Sequence, residues 1–321
     1  MLLEEKLVGN AASPKVLSVL LGKKYVPLAV RSMANWSAMS QVDFRLRVFN
    51  DGSLEECDQA ALQSALGKIE FVSKAEAEDV TAASLRSRYP NCWKYRNKHF
   101  WGIKLFDIPL NSKKTLHYLD ADILFSQKCD FGDFWRLENY PFIFMQDATN
   151  AYSFDWKGLL ELNLRHWPKQ IPAIERANVG VLAIDLKYFD LDYLEFLFSS
   201  PTYGKILNGF FEFYEQTTLS LLGAKYGAGL MSPQDVILAN GEVYGASDFP
   251  NFLGVHFAGP CRHMMESAFH QLAQAKSKME PVIIRTIPAS KYSIAGIYKN
   301  SLRKKLNIVG RCMAIPGFET R

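Results

Sequence analysis

The chain has 321 residues, of which 48% are hydrophobic, 13% aromatic and 22% charged, which supports one large or two small cores and excludes a disordered protein. Its longest apolar runs are far shorter than the roughly 20 residues of a membrane-spanning helix, and its first residues lack the pattern of a secretory signal. The net charge is +4, but eight basic residues and one acidic residue lie between Arg285 and Arg321, so the preceding residues are acidic overall and no nucleic-acid partner is expected.

Short apolar runs alternate with longer amphipathic stretches over the first two thirds of the chain, a pattern typical of a mostly parallel α/β sheet. The predicted strands are Val16–Leu21, Phe44–Phe49, Ile69–Val72, Thr115–Leu119, Phe142–Met145 and Val179–Ile184. Ser53 and Glu56 have the spacing of a capping box ahead of a helix, and Ser73 and Glu76 repeat it. The aromatic segment Cys92–Phe106 predicts a mostly buried helix.

The most informative segment follows the fourth predicted strand, where one residue separates Asp120 from Asp122. Residues i and i+2 of an extended backbone point the same way, and open α/β sheets bind ligands outside the carboxyl ends of their strands. Two converging carboxylates favour Mg²⁺ or Mn²⁺. A second pair of this spacing, Asp190 and Asp192, opens a predicted helix, where acidic residues interact favourably with the helix dipole. We therefore expect a metal site at the first pair and a structural role for the second.

The segment around Asp120 and Asp122 resembles the metal-binding motif of GT-A glycosyltransferases, particularly family 8, which includes glycogenin and lipopolysaccharide galactosyltransferases. Four further segments are similar to motifs of that family and occur in the expected order. They are Trp101–Leu105, with a "K-L" pair; Ala177–Asp185, an "N-x-G-V" strand; Glu215–Thr217, an acidic–Gln pair; and Val255–Arg262, an "H-F-x-G-x-x-K" signature. The resemblance spans most of the chain, although the family continues with Lys-Pro-Trp where this chain has Arg262-His263-Met264.

This resemblance implies a GT-A fold, that is, a Rossmann-like, mixed and mostly parallel sheet flanked by helices. It implies a metal-dependent, hexosyltransferase-like transfer of a sugar, with retention of configuration, from a nucleotide-diphosphate donor to a glycan or lipid-linked acceptor, as in polysaccharide biosynthesis. The implied cofactor is Mn²⁺ or Mg²⁺, held by Asp120, Asp122 and His256.

The resemblance also assigns residues to the nucleotide donor. Lys104 and Asp120 would contact it, Asp120 at both the metal and the ribose. Gly259 would let the backbone approach the diphosphate, and Arg262 would neutralise it, since a guanidinium can bind phosphate oxygens bidentately. A solvated charge at the start of a helix is the alternative interpretation of Arg262.

A second group of residues is assigned to the transferred sugar: Glu215, Gln216 and Asn178. The alternative for Glu215 is a solvated residue on an apolar helix, and the alternative for Asn178 is a residue that caps its strand. Asp147, after the fifth predicted strand, is a weaker candidate for sugar binding. The pair Gln234-Asp235 ranks second as the acidic–Gln site, in reversed order.

Beyond Arg285 the alternation is lost and a basic, amphipathic tail begins, so we divide the chain into a catalytic domain, residues 1–284, and a tail, residues 285–321. Basic residues flank an apolar stripe with helical spacing, which predicts either contact with an anionic membrane surface or packing on the domain. The stripe consists of Ile294, Tyr298, Leu302 and Leu306.

The cysteines indicate the cellular compartment. Cys57, Cys92, Cys129, Cys261 and Cys312 lie far apart, without a CxxC pair, which argues against a disulfide framework or a structural zinc site. We expect a reduced, cytoplasmic protein, with the tail as a peripheral contact to the cytoplasmic membrane face.

Two other functions stay open at this stage. One is a metal-dependent phosphohydrolase of the haloacid dehalogenase type, which also places Asp-x-Asp after a strand but favours Thr or Val where this chain has Leu124. The other is a non-catalytic protein that binds nucleotide sugars or carbohydrates on the same fold. The chain has no GxSxG, HExxH or Gly-rich phosphate loop, which disfavours serine hydrolases, zinc peptidases, dehydrogenases and P-loop NTPases.

Overall fold

The computed structural model describes residues 15–98, 100–147, 160–161, 163–164, 171–201, 203, 213–239, 252–274 and 280–292. The strands are β1 (Lys15–Leu21), β2 (Phe44–Asn50), β3 (Ile69–Val72), β4 (Thr115–Leu119), β5 (Ile123–Phe125), β6 (Cys129–Asp130), β7 (Phe142–Gln146), β8 (Ala173–Ile174), β9 (Ala177–Asp185), β10 (Gly229–Met231), β11 (Val236–Leu238), β12 (Gly254–His256), β13 (Val282–Ile283), β14 (Thr286–Pro288) and β15 (Lys291–Tyr292). The α-helices are α1 (Val26–Met39), α2 (Glu56–Leu66), α3 (Lys74–Leu85), α4 (Pro90–Lys98), α5 (Ile108–Leu110), α6 (Asp133–Arg136), α7 (Leu191–Ser199), α8 (Tyr214–Tyr226) and α9 (Met265–Gln274). A π-helical turn covers Ile103–Asp107, and 3-10 turns cover Lys23–Tyr25, Leu186–Tyr188 and Gly259–Met264.

The main sheet has eight strands in the order β14-β10-β7-β9-β4-β1-β2-β3. Strands β1 to β4 are parallel to one another, and β7 is parallel to β10. Strand β9 runs antiparallel to both β4 and β7, and β14 runs antiparallel to β10. All six predicted strands are present, and the predicted class, a mixed but mostly parallel α/β sheet flanked by helices, is confirmed.

The central strands are mostly apolar, as expected of a sheet that helices cover on both faces. Every residue of β7 is buried, and alternate side chains enter different clusters: Phe142 and Phe144 join one core, and Ile143 and Met145 join the other. Such alternation follows from the two-residue period of a strand. Strand β7 therefore packs against a core on each face of the sheet.

The start of helix α2 differs from the prediction. The capping box is formed by Glu55 and Asp58, two residues beyond the predicted pair, Ser53 and Glu56. The reason is that Ser53 already belongs to the turn that closes β2, where its backbone N–H and its hydroxyl both donate to Asp51 Oδ1, at 2.8 and 2.6 Å. The Ser53 hydroxyl oxygen also accepts from the Lys23 N–H at 2.8 Å, so its acceptor is used in this turn and not at the start of the helix.

The next two helical predictions have different outcomes. Ser73 and Glu76 form the predicted capping box of α3. The predicted continuous helix Cys92–Phe106 is wrong, because α4 ends at Lys98 and a π-helical turn follows from Ile103. Between them the backbone of Gly102 packs so closely on Arg96 that a Cβ at Gly102 would lie 2.5 Å from the Arg96 carbonyl oxygen.

The first residues of the predicted tail join the body of the fold. Strand β14 forms the edge of the main sheet and β15 pairs with β8; residues 293–321, including the apolar stripe, lie outside the described residues. Within the described ranges, no helix combines the length and the apolar character needed to cross a bilayer. The four cysteines in those ranges, Cys57, Cys92, Cys129 and Cys261, are free thiols.

Candidate metal and nucleotide site

Backbone pairing brings Asp120, Asp122 and His256 together. The two aspartates follow the carboxyl end of β4, and the Asp120 N–H donates to the Gly180 carbonyl at 2.8 Å. Strand β12 pairs antiparallel with β5, which places His256 opposite Ile123, and the Phe257 N–H donates to the Asp122 carbonyl at 2.8 Å. A histidine from far along the chain thus lies directly beside the two carboxylates.

The three side chains offer atoms at distances that suit a shared cation. His256 Nε2 lies 3.1 Å from Asp122 Oδ1 and 3.8 Å from Asp120 Oδ2, and one ligand atom of each residue lies within 4.8 Å of the others. Asp122 and His256 are both buried, and apart from the 3.1 Å contact with His256 Nε2, Asp122 Oδ1 has no hydrogen-bond partner. A buried carboxylate oxygen with so few partners is costly, so these residues fit a divalent ion with oxygen and nitrogen ligands.

Lys104 and Tyr118 bind Asp120. The buried Lys104 ammonium lies 3.0 and 3.1 Å from the two carboxylate oxygens, and the Tyr118 hydroxyl donates to Oδ1 at 2.6 Å. Burial raises the pKa of Tyr118 well above its usual value, so its hydroxyl stays a donor. Lys104, predicted to contact the nucleotide, therefore lies against Asp120, and it is not among the residues that line the cleft described below.

Arg262 binds Asp122 in a corresponding way. Its Nε donates to Asp122 Oδ2 at 2.6 Å, its Nη1 donates to the Tyr25 hydroxyl at 3.1 Å, and its guanidinium lies 4.8 Å from the centre of the Tyr25 ring. Burial raises the pKa of Asp122, but the charges of His256 and Arg262 outweigh this effect and hold the pKa below its usual value. Gly259 opens the turn that carries Arg262 with a φ of 54°, a backbone conformation that glycine adopts without steric cost.

A cleft opens at the carboxyl ends of β1, β2 and β4, the edge at which open α/β sheets bind ligands. Its empty space, including the open mouth, is about 590 Å³. It is lined by Leu20, Leu21, Gly22, Tyr25, Leu28, Asp51, Phe100, Trp101, Tyr118, Asp120, Ala121, Asp122 and Arg262. The aspartates and Arg262 thus lie in the wall of a cleft whose other walls are largely aromatic and aliphatic.

Among the residues of this cleft that sequence reasoning missed are Gly22, Tyr25, Asp51 and Tyr118. Gly22 and Asp51 follow β1 and β2 directly, and a Cβ at Gly22 would lie 2.2 Å from Asp51 Oδ2. Their positions just after predicted strands are a signal that could have identified them. Tyr25 has no such signal, because its role depends on the contact with Arg262.

Glu215 and Gln216 are buried in the first turn of α8, so the interpretation of Glu215 as a solvated residue is wrong. Helix α8 packs against the π-helical turn that carries Lys104. Burial raises the pKa of Glu215 to about 7 although Lys104 opposes this shift, and Asp120 raises it further. Glu215 Oε2 has no hydrogen-bond partner. Glu215 is thus an electrostatic neighbour of the two residues at the centre of the site.

Asn178 is buried and makes two internal hydrogen bonds. Its Nδ2 donates to Asp147 Oδ2 at 3.0 Å, and its Oδ1 accepts from the Gly180 N–H at 2.8 Å. The register of β9 against β7 shifts here, because Phe144 pairs with Leu182 whereas the next residue pairs with Asn178. Such irregularities in a ladder are common beside active sites. Asn178 therefore shapes the strand at the point where Gly180 meets His256.

The sequence contains other carboxylates that were compared with the metal and sugar sites, and they lie in structural contacts or at the surface. Asp235, from the second-ranked Gln234-Asp235 pair, accepts hydrogen bonds from the Arg285 N–H and Nε at 3.0 and 2.9 Å. Asp190 caps α7 by accepting from the Tyr193 N–H at 2.9 Å, and Asp192 is exposed. The prediction that Asp190 and Asp192 belong to the start of a helix is confirmed.

We expect Gly180→Ala to displace His256, because the new Cβ would lie 2.3 Å from His256 Cε1 and 2.4 Å from Nδ1. Overpacking of this kind costs about 1–3 kcal/mol. Urea denaturation should show that loss in Gly180→Ala, and most of the loss should disappear when the substitution is made in a His256→Ala background, which has room for the methyl group. Equal losses in both backgrounds would contradict the contact.

No family model matches the chain, and no curated protein matches it in sequence. Solved structures do match. The galactosyltransferase LgtC, in complex with donor and acceptor sugar analogues, has a TM-score of 0.44 and 16% identity over 79% of this chain and 95% of its own. Mouse xyloside xylosyltransferase 1 in its apo form has a TM-score of 0.49 and 13% identity over 77% of this chain and 98% of its own. Core-mannan synthase A from Aspergillus fumigatus in its Mn/GDP form has a TM-score of 0.40 and 11% identity over 68% of this chain and 73% of its own. The chain is thus similar in structure to these three proteins, each at low sequence identity.

Proposed function

We propose that this protein is a metal-dependent glycosyltransferase that moves a sugar from a nucleotide-diphosphate donor to a glycan or lipid-linked acceptor. The observation that carries the proposal is the group formed by Asp120, Asp122 and His256 at the wall of the strand-end cleft. It combines a ligand set suited to Mn²⁺ or Mg²⁺ with a buried carboxylate oxygen, Asp122 Oδ1, whose neighbour is His256 Nε2, and it adjoins an open cleft.

The reaction needs stabilisation of the leaving group, because the departing diphosphate gains negative charge as the bond to the sugar breaks. A divalent ion held by Asp120, Asp122 and His256 would supply a Lewis acid at that charge. Arg262 lines the same cleft, and its guanidinium is suited to bidentate contact with phosphate oxygens. Lys104 and Tyr118 hold the Asp120 carboxylate in place, so we assign Lys104 to positioning this ligand, and its contact with the donor stays a prediction.

The sugar end of the donor is assigned to Glu215, Gln216 and Asn178. With a pKa of about 7, Glu215 is partly protonated near neutral pH, so its carboxyl can donate or accept a hydrogen bond to a sugar hydroxyl. Asn178 would contribute indirectly, because it holds the backbone of strand β9 at Gly180, which lies next to His256. Retention of configuration and a hexose donor are proposed from the resemblance of the sequence motifs.

The phosphohydrolase alternative is disfavoured by the sequence, which has Leu124 where that class favours Thr or Val two residues beyond the second aspartate. The non-catalytic binding protein is the remaining alternative. Contact of the tail with a membrane surface, and hence a peripheral location on the cytoplasmic face, stays a prediction.

A thermal-shift screen with uridine- and guanosine-diphosphate sugars tests the function. We expect at least one donor to raise the melting temperature in the presence of Mn²⁺ or Mg²⁺ and not in the presence of EDTA. The same donor should release its nucleoside diphosphate slowly in water, since water can replace the acceptor. Binding without any metal-dependent release would favour the non-catalytic alternative, and no stabilisation by any donor would contradict the proposal.

A further inference from the structure

We infer that the buried ion pair between Arg96 and Asp107 positions Lys104 for the candidate site. The pair fixes the π-helical turn so that the Lys104 ammonium contacts the Asp120 carboxylate. This inference rests on the proposed function in that Asp120 is a proposed metal ligand. Arg96 lies in the last turn of α4 and Asp107 is the last residue of the π-helical turn, so the pair spans the segment that carries Lys104.

The Arg96–Asp107 pair is bidentate and almost completely buried. Arg96 Nε donates to Asp107 Oδ1 at 2.9 Å, and Arg96 Nη2 donates to Asp107 Oδ2 at 2.6 Å. The two side chains are 5% and 0% exposed. The third guanidinium nitrogen, Nη1, lies 3.1 Å from Glu78 Oε2 and donates to Asn97 Oδ1 at 3.0 Å. A bidentate pair fixes orientation as well as distance, so the two ends of the segment are held in one relative position.

Stability by itself gives no reason for a charged pair at this place. The desolvation of two buried charges can cost more than their attraction returns, and apolar side chains of similar volume are often as stabilising or more so. The pair does, however, close an unusual piece of backbone. The turn Ile103–Asp107 is π-helical, a rare conformation that is frequent at functional sites, and Gly102 before it packs on the Arg96 backbone. The pair therefore holds the chain in this turn, in place of the continuous helix that the sequence pattern predicts.

The position of Lys104 depends on this turn. Its side chain is 2% exposed, and its ammonium lies within 3.1 Å of both Asp120 oxygens. A π-helical turn holds more residues than an α-helical turn, and each additional residue rotates the following side chains by about 100°. Without the Arg96–Asp107 pair, a return to α-helical geometry would turn Lys104 away from Asp120. Arg96 and Asp107 are thus positioning residues that act on the site through Lys104.

Acylation of lysine amines, followed by mass spectrometry of the peptides, tests the position of Lys104 without any nucleotide. The double variant Arg96→Met/Asp107→Leu replaces the ion pair by apolar side chains of comparable size. We expect its Lys104 to be acylated at least about tenfold faster than that of the unmodified protein, because the turn opens locally. Urea denaturation should show no loss of stability in this variant.

Nucleotide binding connects the pair with the site. With Mn²⁺ present, we expect the affinity of the double variant for the effective nucleoside diphosphate to fall by at least about tenfold, as is typical when the support of a metal ligand is lost. The same two substitutions should have no further effect in a Lys104→Met background, because residues that act through a shared partner are not additive. A full additional loss in that background would contradict an action through Lys104.

Two variants separate positioning from a general loss of stability. Leu62→Ala opens a cavity in a different apolar cluster from that of the π-helical turn and should leave the acylation of Lys104 unchanged. Arg96→Lys keeps the charge without the bidentate geometry and decides the question if the double variant does not fold. Faster acylation of Lys104 in Arg96→Lys than in Leu62→Ala supports the inference, and equal rates overturn it.

The two readouts also distinguish the inference from the proposed function. Protection of Lys104 in the folded double variant would overturn the positioning role and leave the proposed function intact. Faster acylation of Lys104 in the double variant, together with an unmodified protein that binds no nucleoside diphosphate under any condition, would overturn the proposed function and leave the role of the pair in holding Lys104.

Discussion

Asp122→Asn should abolish metal-dependent nucleotide binding, with the affinity for the effective nucleoside diphosphate in the presence of Mn²⁺ falling by more than about 100-fold. Loss of a residue that merely supports a metal ligand already costs about 10- to 100-fold, and Asp122 is itself the proposed ligand whose Oδ1 lies 3.1 Å from His256 Nε2. An uncharged amide at this position cannot neutralise the ion, and its NH₂ group would face His256 or Arg262, which are themselves donors or cations.

Calorimetry with and without Mn²⁺ measures this effect. The fold should persist, because asparagine has nearly the volume of aspartate and Arg262 is partly exposed to water. Asp192→Asn is a matched control, since it makes the same chemical change at the second Asp-x-Asp pair, where the side chain is 75% exposed. Metal dependence that is equal in the two variants would rule out Asp122 as a ligand.

Glu215→Gln should change how stability depends on pH. The pKa of Glu215 in the folded protein is about 7, compared with 4.5 for an ordinary glutamate, because the side chain is fully buried. The folded state therefore holds this proton more tightly than the unfolded state does. The resulting penalty is absent below about pH 4.5, grows as the pH rises, and is complete above about pH 7, where it amounts to about 3 kcal/mol.

Glutamine does not titrate, so the variant should lack this contribution. Free energies of unfolding from urea titrations at pH 5, 6, 7 and 8 give the difference between the two proteins, in which all the other titrating groups cancel. We expect the variant to gain stability relative to the unmodified protein as the pH rises through this range. Parallel curves would show that Glu215 does not carry the shifted pKa.

The strands of the main sheet follow from local sequence. Strands β1, β2, β3, β4, β7 and β9 match their predicted positions to within two residues at either end, because strands buried on both faces are short, mostly apolar runs that end at polar residues. The position of Asp120 and Asp122 at a strand end, the capping box of Ser73, and the role of Asp190 at the start of a helix were predictable for the same reason. Each depends on residues that are close in sequence.

Two predictions were wrong where the local sequence is compatible with two different structures. Ser53 has the spacing of a cap, but it lies next to the end of β2 and Asp51 engages it. The segment Cys92–Phe106 is apolar enough for one helix, but Gly102 allows the backbone to pack on Arg96 and the helix stops. The spacing of residues in the sequence does not decide between two such local structures, because the same residue types are compatible with both.

The partners of the site are decided only by the tertiary structure. The sequence by itself determined the class of fold, the strand that ends at Asp120, and a set of motif residues with the chemistry of a metal and nucleotide site. Only the pairing of β12 with β5 brought His256 to the aspartates, and only the folded chain placed Lys104 on Asp120 and Arg262 on Asp122. These contacts join residues that are not neighbours in the sequence, so no local pattern encodes them. Burial then strengthens the ion pairs of Lys104 and Arg262 with the two aspartates, and these pairs determine the charge of the site.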